Sequence, residues 1–374
     1  MSARVISMTE GKEVKVFGSI DDVGREPVDS MSQDGFFTYG YFKTLETSKP
    51  YNILLSYAAV YDANNVVAVA PCYVDLDDPF SGFEGKFPFA GSVAGLASRL
   101  GFCLNRLVVC YSPNSYHGKI LVREGYDERT MLELVSKKID DICKSQRILF
   151  SSFPFVSESE GVLEDNLCRL GYLSFPSART LCLDVIWSDF EGYLESLSYK
   201  TRKDVRREIK LCKGSEVSIV EEKNFGGFSS TLSNLHSNLF SRYNPGGETP
   251  YGPSFFSGLS EYARDKTRVL IARKDGSIIG FSLSLQHQST LDVYLVGFDY
   301  SSRTSTDFVY FNLAYYEPIR LAIAEGVKRI HFSINSEGLK LKRGCKVERT
   351  HSFVKCHNAF VGSLYASYMR RRKG

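Results

Sequence analysis

A stretch near the C-terminal end of the chain carries residues that could stabilise a developing negative charge. In residues 337–344, EGLKLKRG, Lys340 and Arg343 stand three positions apart and Glu337 precedes the lysine by three. A cation held away from water stabilises an oxyanion or a phosphate, and a carboxylate or an imidazole can serve as a general base. Glu337 and His351 are therefore the candidate bases. A surface basic loop and a structural histidine are the alternative interpretations.

Two β-favouring segments, residues 291–298 and 327–334, flank a helical pattern that runs from about 307 to 325. A strand, a helix and a second strand in this order predict a right-handed crossover between parallel strands. Pro318 should kink the helix or restart it there. In GNAT-type acyltransferases two such strands diverge, and an activated acyl group enters the gap. The expected substrate-binding residues are Tyr294, Tyr310, Asn312, Tyr315 and Arg343.

The loop before this helix, residues 301–307, has the sequence SSRTSTD and contains no glycine. Glycine-rich loops let backbone amides wrap the pyrophosphate of coenzyme A. Arg303 and the neighbouring hydroxyl groups could hold a phosphate at the helix N-terminus instead. The composition of the loop counts against ordinary acetyl-CoA binding.

A helix rich in lysine and arginine separates the two halves of the chain. A capping-box spacing predicts that the helical region begins at Ser188, and Gly214 is the expected end. Seven cations and two acids fall between residues 200 and 213. Such a concentration indicates a phosphate- or RNA-binding surface, and a solvated helix face is the alternative. The predicted binding set, together with Arg303, is Lys200, Arg202, Lys203, Arg206, Arg207 and Lys210.

The composition excludes several other classes of protein. The formal net charge is only +3, so a polyanion would have to meet a local patch. The nine cysteines show no CxxC spacing, which indicates reduced thiols and neither a metal site nor a disulfide framework. No apolar run is long enough for a signal peptide or a membrane span, so a soluble, cytoplasmic protein without stable membrane insertion is expected. Membrane-surface attachment through residues 370–373 is a minor alternative.

The order of predicted elements repeats between the two halves. Each half runs through a hairpin, a helix, a strand, a short helical segment and a further strand. In the first half these elements are residues 52–61 and 65–74, 129–145, 147–153 and 162–170. In the second half they begin with the hairpin 268–274 and 278–286. This order predicts an α+β fold with mixed, mostly antiparallel sheets, and it is similar to that of two tandem GNAT-like domains. Residues 1–187 form the first domain and 188–374 the second, which opens with the basic linker helix at about 198–213.

The chain resembles the FemAB-related, GNAT-fold family described as peptidoglycan-biosynthesis-like or BioF2-like acyltransferases. The resemblance covers about residues 35 to 357. It is carried by Gly35-Phe36-Phe37, Ala70-Pro71-Cys72-Tyr73, the basic helix and Thr249-Pro250-Tyr251. The most specific matches are Phe311, Leu313, Tyr315, Tyr316, Ile319, Ala322, Ile323, Gly326, Lys340, Arg343, Gly344, Thr350 and Ser352. The chain departs from the family pattern at Tyr310 and Asn312, where His and Glu are usual.

The resemblance implies amide-forming acyl transfer to an amine, with Lys340 at the position of a lysine that assists the transfer. No tightly bound cofactor and no metal are expected, since the acyl donor is a co-substrate. The basic helix favours aminoacyl-tRNA as the donor, with tRNA and a small-molecule amine as partners. Acyl-CoA or an acyl carrier protein is the alternative donor. A degenerate, non-catalytic GNAT pair that only binds RNA or a nucleotide-linked ligand is the second alternative.

Overall fold

The structure is a computed structural model and describes residues 11–75, 103–301 and 307–363. The chain forms two compact units, each of them discontinuous in sequence. The first unit comprises Met1–Met31, Asn52–Arg179 and Arg349–Gly374, and the second comprises Ser32–Tyr51 and Thr180–Glu348. Within the described residues, no helix is both long and apolar enough to cross a membrane.

The first unit is built on a mixed sheet in the order β1-β2-β3-β4-β6-β13. Its strands are β1 Lys12–Phe17, β2 Ile53–Asp62, β3 Asn65–Asp75, β4 Cys103–Cys110, β5 Leu121–Val122, β6 Ile148–Ser157, the beginning of β7 Leu173–Asp184 and most of β13 Lys346–Cys356. β4 and β6 are parallel, and the other neighbours are antiparallel. The predicted hairpin of the first half is confirmed as β2–β3.

Among the described residues of the first unit, the α-helices are α1 Arg25–Met31, α3 Glu128–Ser145 and α4 Gly161–Arg169. The apolar spacing of α3 buries Met131, Val135 and Ile139 against the sheet, as the sequence predicts. Gly171 follows α4 with a φ of 88°, a left-handed conformation that glycine adopts without strain. This glycine ends the helix, which lets the chain turn into β7.

The second unit contains a sheet in the order β7-β12-β11-β10-β9-β8. The additional strands are β8 Ser218–Glu221, β9 Thr267–Lys274, β10 Ser277–His287, β11 Thr290–Phe298 and β12 Arg329–His331. β11 and β12 are parallel, as the predicted crossover requires, and the remaining pairs are antiparallel. The hairpin and third strand predicted for this half are confirmed as β9, β10 and β11.

The second unit also contains helices. They are α2 Tyr39–Ser48, α5 Phe190–Ser196, α6 Tyr199–Gly214, α7 Ser229–Tyr243, α8 Pro253–Tyr262, the single turn α9 Val309–Phe311, a π-helix Asn312–Tyr316, α10 Glu317–Ala324 and α11 Glu337–Lys342. A Cβ at Gly297 would lie 2.6 Å from the backbone nitrogen of His236. Only glycine therefore lets α7 approach β11 this closely.

The predicted boundary between residues 187 and 188 does not describe these units. The last strand of each half continues into the other unit: Asp184 of β7 pairs with Arg329 of β12, and Thr350 of β13 pairs with Ser157 of β6. The segment Ser32–Tyr51 also belongs to the second unit. The sequence pattern reveals the order of elements, but the partner of a terminal strand depends on packing.

Two helices depart from the sequence prediction. The helical region after Trp187 is capped by Asp189, whose Oδ1 accepts from the Gly192 N–H at 2.8 Å, and it breaks before a second cap at Ser198. Ser188 is therefore not the cap. The helix expected from residue 307 is interrupted by the π-helix just before α10. Because Pro318 lacks an N–H and its ring crowds the carbonyl four residues earlier, the restart predicted at this proline is confirmed.

Candidate active site

The two parallel strands of the second unit separate after a short contact. β11 and β12 pair only through Thr290↔Arg329, Leu291↔Ile330 and Asp292↔His331 among the described residues. β12 ends at His331, whereas β11 continues to Phe298. Backbone N–H and C=O groups that leave a ladder become available to another partner. The strands therefore stop pairing, as the predicted divergence requires, and we call the region beyond the paired residues the wedge.

A β-bulge on β11 coincides with the point of divergence. In the pairing of β10 with β11, Leu283 faces Leu295 and Ser284 faces Val293, so Tyr294 is the extra residue. Bulges re-aim side chains and are common beside active sites. The Tyr294 hydroxyl donates to that of Tyr251 at 3.0 Å. Burial raises the pKa of Tyr294 well above its ordinary value, so its side chain is a neutral phenol at physiological pH.

Tyr294 belongs to a group of four tyrosines whose hydroxyl groups form a chain. The hydroxyls of Tyr41 and Tyr294 lie 3.4 Å apart, and Tyr251 also contacts the hydroxyl of Tyr51. His236 packs edge-on against the Tyr251 ring, with the ring centroids 5.2 Å apart. Burial lowers the pKa of His236 to about 4, so the imidazole is neutral here. This cluster is polar at the centre, uncharged and aromatic at its walls.

Lys340 lies on α11 with its ammonium group among backbone carbonyls. Its Nζ donates to the carbonyl oxygen of Phe332, and it is 3.5 Å from that of Ser333, in the segment that follows β12. The residue is only 5% exposed, and burial lowers its pKa to about 8. Cys345 offers no countercharge, since burial raises the pKa of this thiol to about 12. Lys340 is thus a buried cation beside the wedge, satisfied by carbonyl dipoles.

Arg343 forms a buried ion pair that fixes α11 to the basic helix α6. Its Nη2 lies 2.9 Å from Oε2 of Glu208, and its Nε donates to the Tyr316 hydroxyl at 3.1 Å. Its Nη1 donates to the carbonyl oxygen of Leu339. All three guanidinium nitrogens are therefore engaged within the protein. This geometry argues against the predicted role of Arg343 in substrate binding and gives it a structural role.

The remaining predicted pocket residues lie on or next to the π-helix. The hydroxyls of Tyr310 and Tyr315 are 3.3 Å apart, and the Tyr315 ring packs 5.5 Å from that of Phe332. Asn312 donates from Nδ2 to the carbonyl oxygen of Phe308 at 2.9 Å. Phe308 has a φ of 52°, a strained conformation that this bond helps to hold. Tyr310 and Tyr315 therefore stay candidates for contact with a substrate at the wedge, whereas the Asn312 amide is hydrogen-bonded to the local backbone.

The candidate bases and Arg303 fall at different places in the chain. Glu337 is the first residue of α11, one turn before Lys340. His351 lies in the first unit on β13, where its Nδ1 is 3.2 Å from Oε1 of Glu164. The role of His351 as a base stays a prediction. Arg303 lies outside the described residues.

The basic helix presents most of its cations to solvent. Lys200, Lys203, Arg206, Arg207 and Lys210 are exposed. Its buried stripe consists of the apolar residues Val205 and Cys212 and also includes Glu208. Arg202 is half-buried and donates to the carbonyl oxygen of Glu195, and Arg206 pairs with Glu191. The helix therefore has an exposed, positively charged face, and its buried face contains the carboxylate of Glu208.

Several residues of this region were not singled out by chemistry in the sequence. Tyr41, Tyr51, Glu208 and Tyr316 reach the two polar clusters only through tertiary contacts. Tyr251 was marked by the family resemblance alone, without a role. The one local signal for Glu208 is an acid on the apolar stripe of a basic helix, which is a pattern typical of a buried ion pair.

The comparisons with known proteins agree with this fold. FemX has a TM-score of 0.61 at 11% identity, over 94% of this chain and 99% of that chain. The C-terminal domain of a putative lysylphosphatidylglycerol synthetase from Agrobacterium fabrum has a TM-score of 0.56 at 12% identity, over 93% and 95%. A conserved protein of unknown function from Bacteroides thetaiotaomicron has a TM-score of 0.54 at 11% identity, over 88% and 91%. No curated protein matches the chain by sequence.

The fold and the diverging strands define an α+β protein of tandem GNAT-like domains. The FemAB-like family, described as peptidoglycan biosynthesis/recognition, matches residues 19–374. The chain belongs to this family.

Proposed function

We propose that the chain is an N-acyltransferase that joins an activated aminoacyl group to an amine, forming an amide bond. The observation that carries the proposal is the wedge with a buried lysine at its side: β11 and β12 part after three paired residues, and Lys340 binds the carbonyls that follow β12. Family membership supports an amine acceptor of the kind found in peptidoglycan precursors.

The chemistry requires few protein groups. A neutral amine attacks the carbonyl carbon of the acyl ester, the oxyanion forms, and the ester oxygen leaves as the amide carbonyl returns. In this proposal, backbone N–H groups near the bulge at Tyr294 and the Lys340 ammonium stabilise the oxyanion. Positioning of the two substrates supplies much of the remaining rate. Glu337 or a water molecule takes the proton that the amine releases, and the leaving ester oxygen takes up a proton to become a hydroxyl group.

Aminoacyl-tRNA is the donor that the basic helix favours. The exposed cations of α6 form a continuous positive face, and cations on one face bind a phosphate backbone with a strong dependence on salt. Acyl-CoA or an acyl carrier protein is the second candidate donor. The loop before α9 contains no glycine, and this makes acyl-CoA or an acyl carrier protein the less favoured donor.

Turnover measured with a panel of charged tRNAs and acyl thioesters tests the reaction and the donor together. Mass spectrometry of an amine acceptor is expected to show an aminoacyl adduct with charged tRNA. Pretreatment of the donor with RNase should abolish the adduct. If activity survives RNase on a coenzyme A thioester, the tRNA donor is wrong and the acyltransferase proposal stands.

Lys340→Ala separates catalysis from binding. Loss of an oxyanion-stabilising donor should lower kcat by about 100- to 1,000-fold, with tRNA affinity unchanged. Lys342→Ala is the matched control, because Lys342 is an exposed cation of the same helix. Equal turnover in both variants would exclude Lys340 from the chemistry. Parent protein that binds tRNA and transfers no tested group would favour a non-catalytic binding module.

Charge reversal on the basic helix tests the RNA surface. The double variant Lys203→Glu and Lys210→Glu is expected to weaken tRNA binding and to flatten its dependence on salt. Lys223→Glu, an exposed lysine outside α6, is the control and should retain the parent affinity. Unchanged affinity in the double variant would show that α6 is only a solvated face.

A further inference from the structure

Two cysteines of the first unit face each other across neighbouring strands. Cys72 on β3 and Cys110 on β4 are register partners in the antiparallel ladder, and both are free thiols. Their Sγ atoms lie 3.1 Å apart in the core of the unit. Two thiols at this distance need a shift of only about 1 Å to reach the bonding distance of roughly 2.05 Å.

The hydrogen bonds of the ladder show that the backbone can accept the link. The Tyr111 N–H donates to the carbonyl oxygen of Pro71 at 2.9 Å, so residues 71 and 111 form a hydrogen-bonded pair. The next pair, Cys72 and Cys110, is therefore a non-hydrogen-bonded one, in which the Cα atoms are about 4.5 Å apart. Disulfides use Cα separations of roughly 4.4–6.8 Å. No rearrangement of the strands is required.

We infer that Cys72 and Cys110 form a reversible cross-strand disulfide when the protein meets a peroxide. One thiolate attacks the peroxide oxygen to give a sulfenic acid and hydroxide. The second thiol then displaces the sulfenic oxygen as water and closes the S–S bond. Overall, two thiols and one hydrogen peroxide give one disulfide and two waters, and a dithiol reductant reverses the step.

The surroundings make this a slow, protected modification. Cys72 is 5% exposed and Cys110 is 1% exposed, so the first oxidation falls on Cys72. Burial and the neighbouring Cys72 thiol raise the pKa of Cys110 well above its usual value, which keeps this thiol protonated at neutral pH. The bond joins β3 directly to β4 and closes the chain between the two residues into a loop.

Peptide mapping of the intact chain tests the inference. The protein is treated with hydrogen peroxide, denatured in an alkylating reagent, digested without reduction and analysed by mass spectrometry. The expected product is a Cys72–Cys110 linked peptide pair, lighter by two hydrogens and released by dithiothreitol. Cys168 is exposed and serves as the internal indicator that the oxidant was active.

Two variants define the pairing. Cys110→Ala should lose the linked pair. Cys143→Ala should keep it, although Cys143 is the third buried thiol of the same core. Circular dichroism confirms that each variant is folded before oxidation. An oxidised Cys168 without a Cys72–Cys110 link in the parent protein, or a link from Cys72 to Cys143, would overturn the inference. None of these readouts depends on acyl transfer.

Discussion

The buried ammonium of Lys340 should reduce the stability of the folded protein at neutral pH. Burial lowers the pKa of this side chain from 10.5 to about 8. At about 1.4 kcal/mol per pKa unit, the charged form destabilises the folded state by roughly 3 kcal/mol relative to the unfolded chain. Between pH 8 and pH 10.5 the unfolded state binds the proton that the folded state has released. The free energy of unfolding therefore rises with pH through this window.

Lys340→Met removes the charge and preserves most of the side-chain volume. The variant loses the hydrogen bonds to the carbonyls of Phe332 and Ser333, each of which contributes about 1 kcal/mol. The net expectation at pH 7 is a protein about 1 kcal/mol more stable than the parent and inactive in transfer. By pH 10.5 the parent should be the more stable of the two proteins, because its free energy of unfolding has risen by roughly 3 kcal/mol and that of the variant has not.

Urea denaturation of both proteins at several pH values between 7 and 10.5 measures this effect. The fluorescence of Trp187, the one tryptophan of the chain, reports on the second unit, where its ring packs 5.1 Å from that of Tyr193. Tyrosine titration affects both proteins alike and cancels in the difference between them. Lys342→Met is the control: its free energy of unfolding should differ from that of the parent by the same amount at every pH. A difference between the parent and Lys340→Met that does not change with pH would refute the reasoning.

Three further substitutions test individual contacts. Glu208→Gln leaves the buried Arg343 guanidinium without its countercharge and should cost about 3–5 kcal/mol in urea denaturation, whereas a loss below 1 kcal/mol would mean that the pair is solvated. Gly297→Ala places a methyl group 2.6 Å from helix backbone and should destabilise strongly, while Gly227→Ala, with open space around it, should change stability little. Tyr294→Phe should lower kcat/KM several-fold and cost about 1 kcal/mol, because it removes one buried hydrogen bond; parent-like turnover would exclude this hydroxyl from the site.

Residue type and spacing predicted those strands, turns and helix ends that depend on only a few neighbouring residues. Alternating apolar strands around Asp275-Gly276 gave the β9–β10 hairpin, and Gly171 and Gly326 end their helices with positive φ values of 88° and 68°. The proline at 318 predicted the break that the π-helix makes. These features depend on neighbours in the sequence, for which spacing and residue type are sufficient information.

The candidate site was predicted only in part, because its chemistry depends on distant contacts. The divergence of β11 and β12 and the position of Lys340 on a short helix followed from the sequence. The engagement of Arg343 by Glu208, 135 positions earlier, did not, and it occupies a guanidinium that the prediction gave to the substrate. Similarly, His351 pairs with Glu164 in the first unit. A charged side chain has the same local signature whether it meets a substrate or a partner in the core.

By itself, the sequence determined the order of strands and helices, the basic face of α6 and membership of an acyltransferase-like fold. The tertiary structure alone decided which unit each terminal strand joins, which tyrosines share a hydroxyl chain and which cation remains beside the wedge. The physical reason is that hydrophobic periodicity and turn residues act over a few positions. Strand pairing, burial and the pKa of a lysine are set by groups that the fold brings together from remote parts of the chain.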